Sequence, residues 1–455
     1  MHLNDIRENI NHITQDSKKV KPGSLFVSMN DQHLLEAIKN GANAIISKEN
    51  RDLTVPVYKD NPDKAYENLL KDFYDISINL IGITGTDGKT TTASIIQHLL
   101  TRDKCGNIGT NGISYKQENI KSKLTTPILE DTYMYLDLFQ KQNMKYAVME
   151  VSSEGILDNR IASLEYDKCI FTNLTHEHLN THQTMENYFN TKIRLFNQLK
   201  PNGTAIINID DEYSNKMINN LNKKIITFGT SNEADYQITN INQYKDHTTF
   251  TLKTNFTSYN LQTNLMGKYN LYNITAAIIA VSDYISIEEA IDKISSIPQI
   301  EGRYVHLTNN EIDLIIDFAH TPNALKNLLE TVNINKVNNS ILVMGSAGEK
   351  DKTKRKTMGN IASTKSDFVI FTSEDPKTED ETSIIDHLLE EVMSENYVKI
   401  YDRKEAIKTA IAIARVNDTV IITGKGNEHT FNKNNILTKH NDIEIAKEFL
   451  AKKRL

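Results

Sequence analysis

The stretch GITGTDGKTTTASII, Gly82 to Ile96, most limits what this chain can fold into. An apolar run, Asn79 to Thr84, gives way to Gly85 and Gly88, and a helix-compatible run opens at Lys89. A strand that turns through glycines into a helix aims backbone N–H groups and the positive end of a helix dipole at one point, which suits an anion. The strict phosphate-loop pattern G-x-x-x-x-G-K-[ST] fails by one letter, because Ile83 stands where the first glycine belongs. The chemistry survives that change. Gly85, Thr86 and Gly88 would line the turn, Lys89 would reach the terminal phosphates of ATP, and the Thr90 or Thr91 hydroxyl would sit on Mg²⁺. Asp87 brings negative charge beside phosphates, so it is expected to point away or to act through the metal. A structural glycine turn with a surface lysine is the alternative.

The rest of the chain reads as an α/β protein in three segments. Residues 1–77 alternate short strands (SLFVSM, AIIS) with helical stretches such as LLEAIKNGA, and are too short to hold the later motifs. Residues 78–299 alternate the strands IGITG, YAVMEV, KCIFTNL and TAIINID with helices, which predicts a parallel sheet covered on both faces. Residues 300–455 start a second, Rossmann-like series, DLIIDF, SILVMGS, DFVIFTS and DTVIITG. Each of these strands ends in a polar loop, where open α/β sheets bind ligands.

Composition removes several functions. With 52 Lys and Arg against 59 Asp and Glu, the net charge of −7 offers no broad basic surface, so nucleic acid is not an expected partner. Two cysteines, Cys105 and Cys169, are too few for a disulfide framework and suit a reducing cytoplasm. The start, MHLNDIRENINHI, lacks the basic-then-apolar order of a signal peptide, and apolar runs such as AAIIAV at 276–281 are far too short for a membrane span. A soluble cytoplasmic protein is expected, with no membrane insertion.

A second cluster lies at two further strand ends. MEVSSEG puts Glu150 at the end of one, and TNLTHEHLNTH puts His176, Glu177, His178 and His182 at the end of another. If those strands neighbour the one before Gly85, Glu150 and His178 would converge on the phosphates and their Mg²⁺. A zincin is excluded, because H-E-x-x-H needs His where Asn180 stands, and Ser152 and Ser153 lack the G-x-S-x-G elbow of a serine hydrolase.

These blocks, taken in order, resemble the Mur ligases, most closely their MurE branch, which adds the third stem-peptide amino acid to a UDP-MurNAc-dipeptide. The resemblance spans nearly the whole chain: DSKKVKPGSLFV, GTDGKTTT, TTP, MEVSS with Arg160, NLTHEHLNTH, YFNTKIRLF, GKYNLYN, GRY, DFAHTP, EKDKTKRKTMG, SEDPKTE and GKGNE. It implies a three-domain architecture: UDP-substrate domain 1–77, ATP domain 78–299 and amino-acid domain 300–455. The implied chemistry is formation of an acyl phosphate from ATP and a carboxylate, attack by an amine, and release of an amide.

By the same resemblance, Lys89 and Thr90 hold phosphate and Mg²⁺, Glu150 and His178 match metal ligands, and Lys192 matches a carbamylated lysine. Carbamylation has a physical logic, since it replaces a repelling ammonium with an anion that orients a cation. Asn270 and Asn273 match adenine contacts, Arg303 matches the arginine delivered to the γ-phosphate, and Asp317 and His320 match contacts around ATP. Ser17 falls in the uridine-binding block, and Thr125, Thr126, Ser152 and Arg160 match the muramoyl-peptide grip. Arg355 is read as the cation for the amino acid's α-carboxylate, with Glu374, Asp375, Lys377, Gly424 and Glu428 around its side chain.

The departures concern specificity. The DNPR loop of diaminopimelate-adding enzymes is Glu374-Asp375-Pro376-Lys377 here, which loses the guanidinium fork and gains an anion. That balance favours L-lysine or another diamino acid with a cationic end. GKGHE has become GKGNE at Asn427, and the first segment's Gly-rich stretch is shortened to MNDQHLLEAI. Two other readings follow: a paralogue that ligates an amino acid to a different carboxylate, and a non-catalytic partner subunit, against which Lys89, Glu150, His178 and Lys192 all stand. A monomer is the expected state.

Overall fold

Runs of branched apolar residues such as LIGIT, AVM, LII and VII become buried strands in the computed structural model, which describes residues 10–30, 32–309 and 311–453. The first nine residues of the chain, part of the signal-peptide reading, and Asp31 within MNDQHLLEAI lie outside the described residues. Contacts divide the chain into two compact units, which do not coincide with the three sequence segments.

The first unit takes the chain up to Gly82 with Thr101–Cys169 and Arg194–Gly203. It opens with a parallel four-stranded sheet, β1 (His12–Thr14), β2 (Ser24–Val27), β3 (Ala42–Ser47) and β4 (Val57–Lys59), paired in chain order. Next come β5 (Asn79–Thr84), β6 (Cys105–Gly109), β7 (Gly112–Tyr115), β8 (Glu118–Ile120) and β9 (Tyr146–Glu150), in the spatial order β5-β9-β6-β7-β8. Buried Glu130, on the helix Leu129–Lys141, faces the Tyr66 hydroxyl at 3.2 Å and His12 at 3.4 Å, and this ties the small sheet to that helix.

Strands β10 (Tyr166–Phe171) and β11 (Leu199–Asn208), like β5, run through both units. In the second unit β12 (Lys224–Gly229), β13 (Tyr236–Gln243), β14 (Thr248–Thr254) and β15 (Ser258–Thr263) extend the sheet as β15-β14-β13-β12-β11-β10-β5. The expected parallel order holds where crossover helices connect strands. Direct turns make β13 to β15 and β6 to β8 antiparallel. AAIIAV belongs to the helix Lys268–Val281, whose entire second half is buried, and which packs on the helix Lys89–Leu100. Among the described residues no helix is long and apolar enough to cross a membrane.

The second unit also holds a six-stranded sheet of β16 (Val305–Thr308), β17 (Asp313–Asp317), β18 (Ser340–Met344), β19 (Phe368–Phe371), β20 (Tyr397–Lys399) and β21 (Thr419–Thr423), ordered β16-β17-β21-β18-β19-β20. All but β16 pair in parallel, so DFAHTP, GSAGEKDK, SEDPK and GKGNE leave the same edge. Buried Arg403 secures that edge: it donates to the Thr423 carbonyl at 2.6 Å and bidentately to buried Asp442 at 3.0 and 2.6 Å. Burial opposes the Asp442 charge, but Arg403 and His440 hold its carboxyl well below the usual range. Arg403→Met would strand Asp442, and urea unfolding is expected to show a loss of roughly 3–5 kcal/mol.

Candidate active site

The turn after β5 has the geometry that its glycines predict. Gly88 sits at φ 88°, and a Cβ there would lie 2.5 Å from Asn273 Oδ1, so only glycine lets the turn close over the helix beneath. Asn273 and Asn270 are buried and bonded to each other at 3.1 Å, and Asn273 also accepts from Thr92 at 3.2 Å. They brace the turn from inside the second unit. Thr90 and Thr91 are buried in the first turn of the helix, and Thr86 accepts from or donates to the Tyr188 hydroxyl at 3.3 Å. The Asp87 carboxylate accepts from Thr321 at 3.2 Å and Asn323 at 3.3 Å.

Lys89, Lys192 and Arg303 gather at this turn. Lys89 Nζ donates to the carbonyls of Gly85 at 2.9 Å and Thr86 at 2.8 Å. Lys192, on the helix Met185–Phe196 and 1% exposed, donates to the same Gly85 carbonyl at 3.0 Å and lies 4.6 Å over the Tyr188 ring. Burial, and then the charge of Lys89, push the Lys192 ammonium well below the usual lysine range. Arg303 Nη2 faces the Thr90 hydroxyl at 3.4 Å with its guanidinium over Phe318. His178 is pushed down to about 3 by burial and by the charges of Lys192, Lys89, Lys350 and Lys354, so it is a neutral imidazole. Lys350, exposed, and Lys354, buried, are charges on His178 that the motif reading passed over.

On the neighbouring sheet edge, Asp317 is buried and accepts from the backbone N–H groups of Tyr304 and Ala319, each at 2.7 Å, so it shapes the DFAHTP turn. His320 accepts no proton easily: burial and Lys354 hold it well below its usual value. Glu374 is buried, and a Cβ on Gly424, at φ 106°, would lie 1.9 Å from its Oε2. Burial raises the Glu374 carboxyl to about 7 against the pull of Arg403 and Lys425.

The charges of this edge are paired with one another. Arg355 has no exposed side chain and grips Glu379 with both terminal nitrogens at 2.8 and 2.9 Å. Asp375 and Glu428 do not stand as open anions, because buried Lys425 binds them at 2.7 and 2.6 Å. Lys377 faces Glu349 at 3.6 Å. Lys425 was visible in GKGNE, but nothing in a linear motif shows which acids a lysine will meet.

In the first unit, the residues matched to the muramoyl peptide form one polar cluster. Thr126 donates to the Glu150 carbonyl at 2.9 Å and lies 3.1 Å from Ser152, and Arg160 donates to the Thr126 carbonyl at 3.2 Å. Thr110, which no motif singled out, donates to buried Glu150 through its N–H at 2.8 Å and its hydroxyl at 3.1 Å, and touches Thr125 at 3.1 Å. Ser17 stands apart, its hydroxyl donated to Glu36 at 2.7 Å.

Comparison with known proteins places both later segments in one family. Residues 83–281 match the Mur ligase middle domain and residues 302–426 the Mur ligase, glutamate ligase domain. A UDP-N-acetylmuramoyl-L-alanyl-D-glutamate–2,6-diaminopimelate ligase of Listeria monocytogenes is 35% identical over 92% of this chain and 90% of its own. The chain belongs to the Mur ligase family. A UDP-N-acetylmuramyl-tripeptide synthetase 2 of Oceanobacillus iheyensis is 34% identical, covering 96% and 94% of the two chains. A solved UDP-N-acetylmuramoyl-L-alanyl-D-glutamate–2,6-diaminopimelate ligase superposes with a TM-score of 0.68 at 28% identity, over 97% of this chain and 95% of that one.

Within this Mur ligase the donors fit a magnesium nucleotide better than a metal caged by protein. Among the described residues no group of three or more His, Cys, Asp or Glu side chains could hold a metal. Mg²⁺ bound with a nucleotide needs only one or two protein ligands, with phosphate and water oxygens completing the shell. A neutral His178 and the Thr90 hydroxyl are donors of that kind. Glu374 supplies a separate test. Its folded value of about 7 lies above the ordinary 4.5, so the native state keeps a proton that the unfolded chain releases. Stability is therefore expected to fall as pH rises from about 4.5 to 7, by roughly 3 kcal/mol at most, and Glu374→Gln should flatten that slope in urea unfolding.

Proposed function

We propose that this Mur ligase is an ATP-dependent amide ligase that joins a diamino acid to UDP-MurNAc-L-Ala-D-Glu during cytoplasmic assembly of peptidoglycan precursors. The observation that carries the reading is the meeting of Lys89, Lys192, Arg303 and a neutral His178 at one glycine turn. Segments 1–77, 78–299 and 300–455 would serve the UDP substrate, ATP and the amino acid.

Lys89 and the backbone N–H groups of the turn bind the terminal phosphates in place of the carbonyls that Lys89 now holds. Arg303, always charged and planar, stabilises the charge that spreads over the transferring phosphoryl group. Mg²⁺, held by Thr90, His178 and, on the family pattern, Glu150 and a carbamylated Lys192, would neutralise phosphate charge. Lys192 suits that modification, because burial and the charge of Lys89 favour its uncharged form, the form that attacks the carbon of CO₂, forming an N–C bond and releasing one proton. The substrate carboxylate takes the phosphoryl group, and the amine displaces phosphate from the acyl phosphate to give the amide. Arg355 is the proposed partner of the amino acid's α-carboxylate, in competition with Glu379.

Lys89→Ala is expected to lower substrate-dependent phosphate release by about 10²-fold or more, the scale of other electrostatic transition-state contacts. A folded variant with near-normal release would overturn the assignment.

For the third amino acid, the name of the Listeria relative states 2,6-diaminopimelate, and that of the Oceanobacillus relative states only a tripeptide. In this chain Lys377 offers no guanidinium fork and already faces Glu349, while Asp375 and Glu428 share the single ammonium of Lys425. One net anion remains for a distal ammonium. L-Lysine is therefore expected to exceed meso-diaminopimelate in kcat/KM by at least about tenfold, about 1.4 kcal/mol, and equal values or the reverse order would defeat the proposal.

A further inference from the structure

His178 is held in an unfavourable backbone shape by residues that lie far from it in sequence. It sits at φ 59°, a left-handed conformation that costs a non-glycine residue about 1–2 kcal/mol. Its neighbours on both sides are tethered to the turn 351–354, which follows β18. His176 Nε2 lies 2.7 Å from the Thr353 hydroxyl. Glu177 binds Lys354 Nζ at 3.1 Å through Oε1 and 3.0 Å through Oε2, and both side chains are 5% exposed. The Leu179 N–H donates to Asp351 Oδ2 at 3.1 Å. Lys354 also donates to the His320 carbonyl at 2.6 Å, so one buried ammonium joins the histidine loop after β10 to the DFAHTP turn after β17. The next residue, Arg355, is fixed to Glu379 and to the Ala347 carbonyl, which anchors the tether at its base.

We propose that Lys354 is a positioning residue: through Glu177 it sets the backbone of His178, so that docking of the glutamate-ligase segment on the middle segment and metal binding at His178 favour each other. The proposal rests on the reading of His178 as a metal ligand. Without the Lys354 ammonium, Glu177 is left as a buried carboxylate with Asp87 and Asp351 acting on it as further acids, and the loop has reason to leave its strained shape. By linkage, what docking does for the metal, the metal must do for docking.

The test uses the full chain and Mn²⁺ with AMP-PNP. Calorimetry gives the affinity for AMP-PNP in EDTA and in Mn²⁺, and limited proteolysis within 282–301 reports docking. Lys354→Ala is expected to reduce the Mn²⁺-dependent gain in affinity at least tenfold, to leave the affinity in EDTA within about twofold, and to speed cleavage in Mn²⁺·AMP-PNP. Lys354→Arg, which keeps charge and donors, is expected to recover most of the gain, and Glu177→Gln to mimic Lys354→Ala. Equal losses with and without Mn²⁺, or an unchanged Mn²⁺ gain in Lys354→Ala, would overturn the proposal. These arms need no substrate, so a wild-type protein that binds in this way but ligates no amino acid would defeat the proposed function and leave the tether standing.

Discussion

Two lysines share one carbonyl oxygen. Lys89 and Lys192 both donate to Gly85, one from the start of the helix after β5 and one from the helix Met185–Phe196. Burial, and then the charge of Lys89, oppose the Lys192 ammonium there, and the chemistry of the turn depends on that conflict. The frustration has two chemical exits: an anion enters the turn, or Lys192 stops being a cation. Phosphate supplies the first and carbamylation the second, and the neutral His178 shows that the same field acts beyond the two lysines. Asp87 is the nearby acid in sequence, yet its carboxylate is engaged by Thr321 and Asn323. Asp87 still acts on Lys192 through its charge, against burial and the charge of Lys89, which come before it and hold the Lys192 value down.

Local signals made the elements of this site legible. Strand Asn79–Thr84, the helix start at Lys89 and the polar loops after the strands of the second sheet follow from periodicity and glycine placement, because those features depend on near neighbours in the chain. The antiparallel margins were not legible in the alternation of strands and helices, since a hairpin connection and a crossover begin with the same apolar run. Charge pairing was the least legible layer. Arg355 and Lys425 are both basic residues in recognisable blocks, but the fold gives the first to Glu379 and places the second between Asp375 and Glu428. Counting acids and bases in a motif misses such partners, which arrive from other loops.

Three of the left-handed residues lie in loops of the second unit. His178, Asp375 and Lys377 all have positive φ, and none is glycine. Each would relax if unsupported, at a gain of about 1–2 kcal/mol, so each observed shape implies a compensating bond. For Asp375 the supports are Lys425 and the Asn432 N–H at 2.8 Å, and for Lys377 they are backbone bonds with Asn432 and Asn434. For His178 they are the contacts of the 351–354 turn. In every case the support comes from a different loop than the strained residue. The loops therefore hold their shapes as a set, and a ligand that moves one of them changes the cost of holding the others.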